Sequence, residues 1–167
     1  MTSAFKIYLN ATLSVEKAIV VITFFAMLVA ISADVIGREF FGQGVFGSVK
    51  FAVYALILCA MAGFGIATAS GSHLRPQFLD FVTAGRREMP ARRLGRVASA
   101  AILVMLAWGA WEMVAFSRMI EERDITLDWL VWPIQLALPL AFLLSAMRHL
   151  IYAADPRLMP EEEEFKE

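Results

Sequence analysis

The sequence predicts an all-α membrane protein in which four transmembrane helices form a bundle with both termini on the cytoplasmic side. The first observation is composition: 59% of the 167 residues are hydrophobic and the mean hydropathy is +0.65, whereas soluble domains contain roughly 45–50% apolar residues. The second is a set of four apolar runs, each near the roughly 20 residues that a helix needs to cross the hydrocarbon core. The third is a short basic loop between the second and third runs, which marks the cytoplasmic face.

The first predicted helix covers residues 15–36. This run is too long for the apolar region of a signal peptide, which spans about 7–15 residues, and it ends near the charged residues Asp34 and Arg38 rather than at a small-residue cleavage site. We therefore interpret it as a retained transmembrane helix. The preceding residues 1–14 carry Lys6 as their only charged side chain. They fit either a short interfacial amphipathic helix or a frayed terminus.

The second predicted helix covers residues 49–70 and follows a glycine-containing turn at 39–48. Its centre carries no charged side chain, as expected of a segment in lipid, where charges are costly. Small residues recur in its second half, and small residues allow another helix to approach closely within a membrane. The expected packing surface consists of Gly63, Gly65 and Ala67.

The third predicted helix covers residues 97–117 and the fourth covers residues 129–152. Pro139 lies inside the fourth helix and is expected to kink it, because proline removes a backbone donor and its ring clashes with the preceding turn. Residues 1–153 are thus predicted to form one transmembrane domain. The acidic residues 154–167 are predicted to form a cytoplasmic tail.

The loop between the second and third helices determines the predicted topology. When both termini and this loop are placed in the cytoplasm, 11 of the 15 Lys and Arg residues lie on that side, which follows the positive-inside rule. The topology-setting residues of this basic loop are Arg75, Arg86, Arg87, Arg92, Arg93 and Arg96.

The residue inventory disfavours an enzyme. Cys59 is the only cysteine, which excludes an intrachain disulfide and a cysteine-based metal cluster. The two histidines, His73 and His149, lie at the predicted cytoplasmic boundary, whereas a haem site within a bundle would need axial ligands such as His at membrane depth. No glycine-rich phosphate loop followed by lysine occurs. We therefore expect no catalytic site, no metal site and no bound cofactor.

Charged residues near the predicted outer boundary are the remaining functional candidates, because ionisable groups at membrane depth are rare and costly. We expect them to form ion pairs where helices meet. Contact with a partner and a direct role in moving an ion or a substrate are the alternatives. These residues are Asp34, Arg38, Lys50 and Glu112.

Four segments, taken in order, resemble one known family. They are ADVIGREFFG at 33–42, AGFGIATASGSHLR at 62–75, WGAWEM at 108–113 and DWLVWPIQLALPLAFLLSAMRHL at 128–150. Over residues 15–153 the chain is similar to the small membrane subunit, of DctQ type, of tripartite ATP-independent periplasmic (TRAP) transporters. No single segment is specific, and the resemblance rests on their order along four helices of suitable length.

The resemblance implies a small subunit that scaffolds a large multi-span TRAP membrane subunit and helps to dock a periplasmic substrate-binding protein. The process would be ion-coupled uptake of a small solute, expected to carry a carboxylate. The large subunit would carry the sodium and substrate sites, so this chain would need no cofactor of its own and would not be an enzyme. The implied location is the inner or cell membrane of a bacterium or archaeon, with the bilayer as a further partner and no nucleic acid.

The resemblance also assigns surfaces to partners. Helices one and two are expected at the large-subunit interface, and the small residues Gly63, Gly65 and Ala67 are its candidate packing surface. The two outer loops would face the periplasm. The candidate docking residues for the binding protein are Arg118, Glu121, Glu122, Arg123 and Asp124.

Two positions depart from the family pattern. Lys50 stands where an acid is expected before helix two, and Pro76 and Gln77 follow Arg75 where an acid often occurs nearby. The roles of those acids are therefore not carried over to this chain. Two alternatives of other classes stay open from the sequence: a haem- or quinone-binding membrane anchor of a respiratory enzyme, and a small exporter that works as an oligomer.

Overall fold

The computed structural model describes residues 2–70, 88–155 and 158, and those residues are predominantly helical. Four segments are long and apolar enough to cross a membrane, and in the described ranges the only β-type pairing is an isolated bridge between Arg123 and Leu130. The predicted all-α fold with four membrane-spanning helices is therefore confirmed. The helices are α1 (Thr2–Phe41), α2 (Ser48–Ala69), α3 (Glu88–Met119), α4 (Trp132–Gln135) and α5 (Ala137–Ala154).

Helix α1 is longer than the segment 15–36 that hydropathy predicts. It contains 40 residues, so at 1.5 Å per residue it is about 60 Å long, roughly twice the thickness of the hydrocarbon core. Residues 2–14 continue the same helix instead of forming a separate interfacial segment or a frayed end. No glycine or proline interrupts residues 2–36, so nothing in the backbone chemistry stops the helix there.

The described part of helix α3 starts at Glu88, nine residues before the predicted start at 97. Pro90 is tolerated there because the first helical turn has no intrahelical acceptors for its own N–H groups. Three arginines that the sequence assigns to the basic loop therefore belong to this helix: Arg92, Arg93 and Arg96. The rest of that loop lies outside the described residues, including His73, Arg75, Arg86 and Arg87.

The fourth membrane-crossing segment is interrupted, as Pro139 leads one to expect. Helix α4 ends at Gln135 and α5 begins at Ala137, with Leu136 between them. Pro139 cannot donate a hydrogen bond to the carbonyl of Gln135, and its ring clashes with that carbonyl in a regular helix. The interruption therefore lies one turn before the proline that causes it.

The helices pack in the spatial order α1, α2, α5, α3. Helix α1 packs along α2, α2 packs along α5, and α5 packs along α3. The edge-to-face rings of Phe64 and Phe142, 5.6 Å apart, join the two central helices, and Arg96 lies over the ring of Tyr152 at 5.6 Å to join α3 to α5. In the most apolar 18-residue stretch of α1, 6% of the residues are buried, against 39% in the corresponding stretch of Trp132–Ala154. Helix α1 is thus a flank of the bundle.

The two ends of the bundle differ in what closes them. One end, called here the basic end, holds the start of α1, the end of α2, the start of α3 and the end of α5. The other, called the loop end, holds the turn 42–47 between α1 and α2 and the loop 120–131 that follows α3. Buried charged groups occur at both ends.

Candidate functional site: charged clusters at the two ends of the bundle

The basic end is built around a buried ion pair. Nη2 of Arg148 on α5 lies 2.7 Å from Oε2 of Glu16 on α1, and their side chains are 1% and 7% exposed. The same nitrogen donates to Thr12 Oγ1 at 3.0 Å, and Nη1 donates to the backbone carbonyl of Gly65 on α2. Three helices therefore meet at one guanidinium, which suits arginine because its donors point in several fixed directions.

Glycine at position 65 is what lets α1 and α2 come together beside this pair. A Cβ atom on Gly65 would overlap Oε1 of Glu16. Gly65 is buried inside the chain, so its assignment to a surface for the large subunit is corrected: it packs against α1 of its own bundle. Gly63 has open space where a Cβ would stand, and both Gly63 and Ala67 are half-buried. These two stay candidates for contact with a partner.

A second polar layer accompanies the ion pair. The hydroxyls of Thr68 on α2 and Ser145 on α5, both fully buried, are 3.3 Å apart. His149 is also buried, and its Nδ1 lies 3.4 Å from Nη1 of Arg96. His149 is therefore part of the contact between α3 and α5. Because buried polar groups need partners, this layer fixes how the helices are rotated about their axes.

At the loop end, Asp34 organises the turn between α1 and α2. Its Oδ2 lies 2.7 Å from Nη2 of Arg38, one helical turn further on. The same carboxylate contacts the side chain of Ser48 and the backbone of Val45, so it joins the end of α1 to the start of α2. The structure thus brings Asp34 and Arg38 together as the sequence indicates.

Asp124 forms the centre of loop 120–131. Its Oδ1 accepts hydrogen bonds from the backbone N–H groups of Thr126 at 2.8 Å and Leu127 at 3.0 Å. Its Oδ2 accepts one from the hydroxyl of Tyr54 at 2.8 Å and lies 3.2 Å from Nζ of Lys50. The Leu127 N–H first, and then the Tyr54 hydroxyl, hold the pKa of Asp124 well below its usual range, because these bonds favour the charged form.

Asp124 is therefore not available to a docking protein, since only 7% of it is exposed. This corrects its place among the candidate docking residues: it ties its own loop to α2. Lys50 is half-exposed and pairs with Asp124. Glu112 lies exposed on α3, and within the described ranges it forms no ion pair. The four outer-boundary residues thus belong to two separate contacts and one isolated acid, not to a single cluster.

The turn 42–47 and the loop 120–131 contact each other and form one surface, called here the loop platform. Gly47 has a φ of 76°, a left-handed conformation that glycine adopts without strain. A Cβ at this position would overlap Cδ2 of Leu127, so a larger residue would separate the two loops. The rings of Phe51 on α2 and Trp129 in the loop also pack edge to face, with their centroids 6.4 Å apart.

The remaining candidate docking residues lie exposed on the loop platform or at its base. Arg118 lies over the Trp132 ring at 5.4 Å, and Arg123 pairs with Asp128 at 3.3 Å. Glu122 accepts a hydrogen bond from the Ser117 hydroxyl at 2.6 Å. Glu121 is exposed at the tip with a φ of 49°. Both signs of charge are therefore held by a folded loop rather than by a flexible one.

The charged clusters hold helices and loops of the same chain together. Within the described part of the chain, no group of three or more His, Cys, Asp or Glu side chains could hold a metal ion. The three buried carboxylates of the described residues, Glu16, Asp34 and Asp124, are already occupied by donors of the same chain. Away from these clusters, the bundle exposes its apolar flank and its loop platform.

Sequence reasoning missed the Glu16–Arg148 pair. Glu16 stands within the predicted first helix and Arg148 near the end of the fourth. In a topology with both termini on one side, these two positions lie at similar depth. An acid at the edge of an apolar segment requires a partner, and this signal would have pointed to Arg148.

Comparison with known proteins gives a partial match and a more extensive one. Over 89 residues, 53% of this chain, the sequence is 34% identical to phospho-N-acetylmuramoyl-pentapeptide-transferase of Bifidobacterium animalis subsp. lactis (strain AD011). The match covers 21% of that enzyme, so the chain spans about a fifth of the length of this relative.

The extensive match is to a family described as tripartite ATP-independent periplasmic transporters, DctQ component, and it covers residues 14–156. This range includes all four membrane-spanning segments except the first turns of α1. It also contains both charged clusters described above. The chain is a multi-pass membrane protein that belongs to the DctQ family, the small membrane subunits of TRAP transporters.

Proposed function

We propose that this chain scaffolds the large multi-span subunit of its TRAP transporter and helps to dock the periplasmic substrate-binding protein at the loop platform. The transported solute would be a small molecule carrying a carboxylate, and the ion gradient, expected to be sodium, would be used by the large subunit. The chain itself would carry out no catalysis. Membership of the family favours this proposal over a respiratory anchor or an independent exporter.

The proposal rests on a contrast within the bundle. The flank of α1 and the loop platform are exposed, whereas the buried carboxylates Glu16 and Asp124 are paired with groups of the same chain. The apolar flank of α1 is covered by little of its own bundle, while Glu16 and Asp124 are satisfied internally. Polar groups that are satisfied within the chain rigidify a bundle. A rigid bundle with a free apolar flank and a folded charged loop suits a scaffold better than a carrier, which needs a polar site that a solute can reach.

The scaffold role is tested on the flank of α1. Ile22 and Val29 are 67% and 65% exposed on this helix, so Ile22→Trp and Val29→Trp would add bulk at the proposed interface without disturbing the bundle. We expect less of the large subunit to co-purify with the tagged chain in mild detergent. Met105, 75% exposed on α3, provides the matched control Met105→Trp, which should leave co-purification unchanged.

The docking role is tested on the exposed acids of the loop platform. The double variant Glu121→Lys, Glu122→Lys reverses local charge without touching Asp124. Charges at the rim of an interface act mainly on the rate of association, so the half-saturating concentration of binding protein in an uptake assay should rise at low salt. The neutral pair Glu121→Gln, Glu122→Gln should give a smaller rise. Uptake that does not change over the full range of binding-protein concentration would remove docking and leave the scaffold role.

The proposed topology places the loop end in the periplasm and both termini in the cytoplasm. Gln43 lies in the exposed turn after α1. The variant Gln43→Cys should therefore react with a membrane-impermeant maleimide in intact cells, or in inner-membrane vesicles that keep the orientation of the cell. A cysteine introduced at Ala4, in the first turns of α1, should react only after the membrane is permeabilised. The opposite pattern of labelling would invert the topology and move the docking surface to the basic end.

A further inference from the structure

A cavity of about 340 Å³ lies at the basic end between α1, α2 and α5. Helices α1 and α2 are in close contact where Glu16 lies opposite Gly65. Beyond this contact α2 ends at Ala69, whereas α1 extends further, to its N-terminus at Thr2. The first turns of α1 are held along α5, where the hydroxyl of Tyr8 donates to the sulfur of Met147 at 3.7 Å. The space left beyond the end of α2 is the cavity.

The lining of this cavity is positively charged on one side and apolar on the other. Its polar members are Lys6 and Asn10 on α1 and Arg148 and Tyr152 on α5, and its apolar wall includes Leu9 and Leu13. No acidic side chain lines it among the described residues. An anion entering the cavity would therefore meet donors and cations, and no acidic side chain among the described residues of its lining.

The two cations differ in how far they are already neutralised. Arg148 is matched by Glu16 directly behind it, so it contributes little net charge. Its Nε is nonetheless buried without a hydrogen-bond partner among the described residues. Lys6 is exposed and precedes Thr12 on α1 by six residues. Because it forms no ion pair among the described residues, it supplies the net positive charge of the lining. The cavity is thus open to an anion at Lys6 and closed by the ion pair at its inner wall.

A phosphate group with an attached apolar tail fits this combination. Basic pockets between transmembrane helices near a membrane surface bind the headgroups of anionic lipids, and pockets of about 300–1,000 Å³ hold small ligands. We propose that this cavity binds the headgroup of an anionic phospholipid. Lys6 and Asn10 contact the phosphate, and Leu9 and Leu13 contact the glycerol and the start of the acyl chains.

The lipid would join α1 to α5 at the point where α2 no longer separates them. The described contacts between these helices beyond the ion pair are few, with the Tyr8–Met147 contact the one nearest the terminus. Anything that binds the folded state and not the unfolded one stabilises it. Bound lipid should therefore raise the thermal stability of the subunit.

The test uses the purified transporter complex in detergent, titrated with phosphatidylglycerol, phosphatidylcholine and inorganic phosphate while the melting temperature is recorded. We expect phosphatidylglycerol to raise the melting temperature more than either other compound. In Lys6→Gln, about five times more phosphatidylglycerol should be needed for the same rise in melting temperature, because one basic residue near an anionic surface contributes about 1 kcal/mol to binding. Lys17→Gln removes another exposed lysine of α1 that does not line the cavity and should behave like wild type.

Native mass spectrometry of the same samples gives a second readout, because the fraction of complex that retains phosphatidylglycerol should fall in Lys6→Gln and not in Lys17→Gln. Equal stabilisation by phosphatidylglycerol and phosphatidylcholine would overturn the proposal, since the headgroup charge would then not matter. Equal effects in Lys6→Gln and wild type would overturn it as well. Stabilisation by inorganic phosphate as large as that by the lipid would assign the cavity to a free anion instead.

Discussion

The basic end and the loop end each bury a charged group, but they do so in different ways. At the basic end, Arg148 and Glu16 are both removed from water and neutralise each other between helices at opposite ends of the sequence. At the loop end, Asp124 is satisfied mainly by backbone N–H groups of its own loop and by Tyr54, while its cation Lys50 is half-exposed. The first cluster determines how the helices pack, and the second determines the shape of a loop.

This difference predicts a gradient of effects when each cluster is broken. A buried ion pair that loses one partner leaves an uncompensated charge at low dielectric. A carboxylate that caps a loop near water loses hydrogen bonds that water can partly replace. The largest effects are therefore expected at the basic end.

Removing the guanidinium should have the largest effect. Arg148→Met would leave Glu16 buried without a cation, at an expected cost of about 3–5 kcal/mol in the free energy of unfolding. The double variant Glu16→Gln, Arg148→Met removes both charges and should recover part of this loss. Arg123→Met, at an exposed pair, is the matched control with little effect. Thermal unfolding of the purified complex measures all three, and a double variant no more stable than Arg148→Met would contradict the buried-pair explanation.

The next effect compares two glycines on the same helix. Gly65→Ala would force its Cβ into the carboxylate of Glu16, whereas Gly63→Ala would point into open space. Overpacking of this kind costs about 1–3 kcal/mol, so the melting temperature should fall for Gly65→Ala and stay near wild type for Gly63→Ala. Equal stability of the two variants would show that α1 can move away from α2 at no cost. Loss of the large subunit from Gly63→Ala alone would place Gly63 at the partner interface.

The third effect is local to the loop platform. Asp124→Asn weakens the acceptor that binds the N–H groups of Thr126 and Leu127 and removes the charge that faces Lys50. Amide hydrogen exchange of residues 124–131 should therefore become faster while the helices keep their protection. Asp128→Asn, at an exposed acid of the same loop, should change exchange much less. Faster exchange throughout α2 in Asp124→Asn would mean that the loop and the bundle are not separable.

The smallest effect is the response of the loop platform to acid. The pKa of Asp124 is lowered in the folded protein, so its contribution to stability is fully present above the ordinary aspartate pKa of about 3.9 and is lost as the pH falls through the lowered value. Loop protection, corrected for the intrinsic exchange rate, should be constant from pH 7 to pH 5 and should decline only under stronger acid. In Asp124→Asn this decline should be absent, and a decline already near pH 6 would point to another group.

Particular residues show how far sequence reasoning reaches in this protein. Hydropathy located all four membrane segments, because each is a local run of apolar residues, and Pro139 indicated the interruption of the fourth. The pairing of Asp34 with Arg38 followed from their spacing of one helical turn. Asp124 was placed in the correct loop but given the wrong role, because spacing along the chain does not reveal that Tyr54, 70 residues away, turns its hydroxyl toward this carboxylate.

The sequence by itself determined the number of membrane segments, the basic end and the family, since these depend on composition and order along the chain. The tertiary structure decided which small residues pack inside the bundle, which charges are buried and where a cavity is left. Those properties depend on how far each helix extends and how it is rotated against its neighbours. Gly65 and Gly63 lie two residues apart on one helix, and only the position of Glu16 across from one of them makes their roles different.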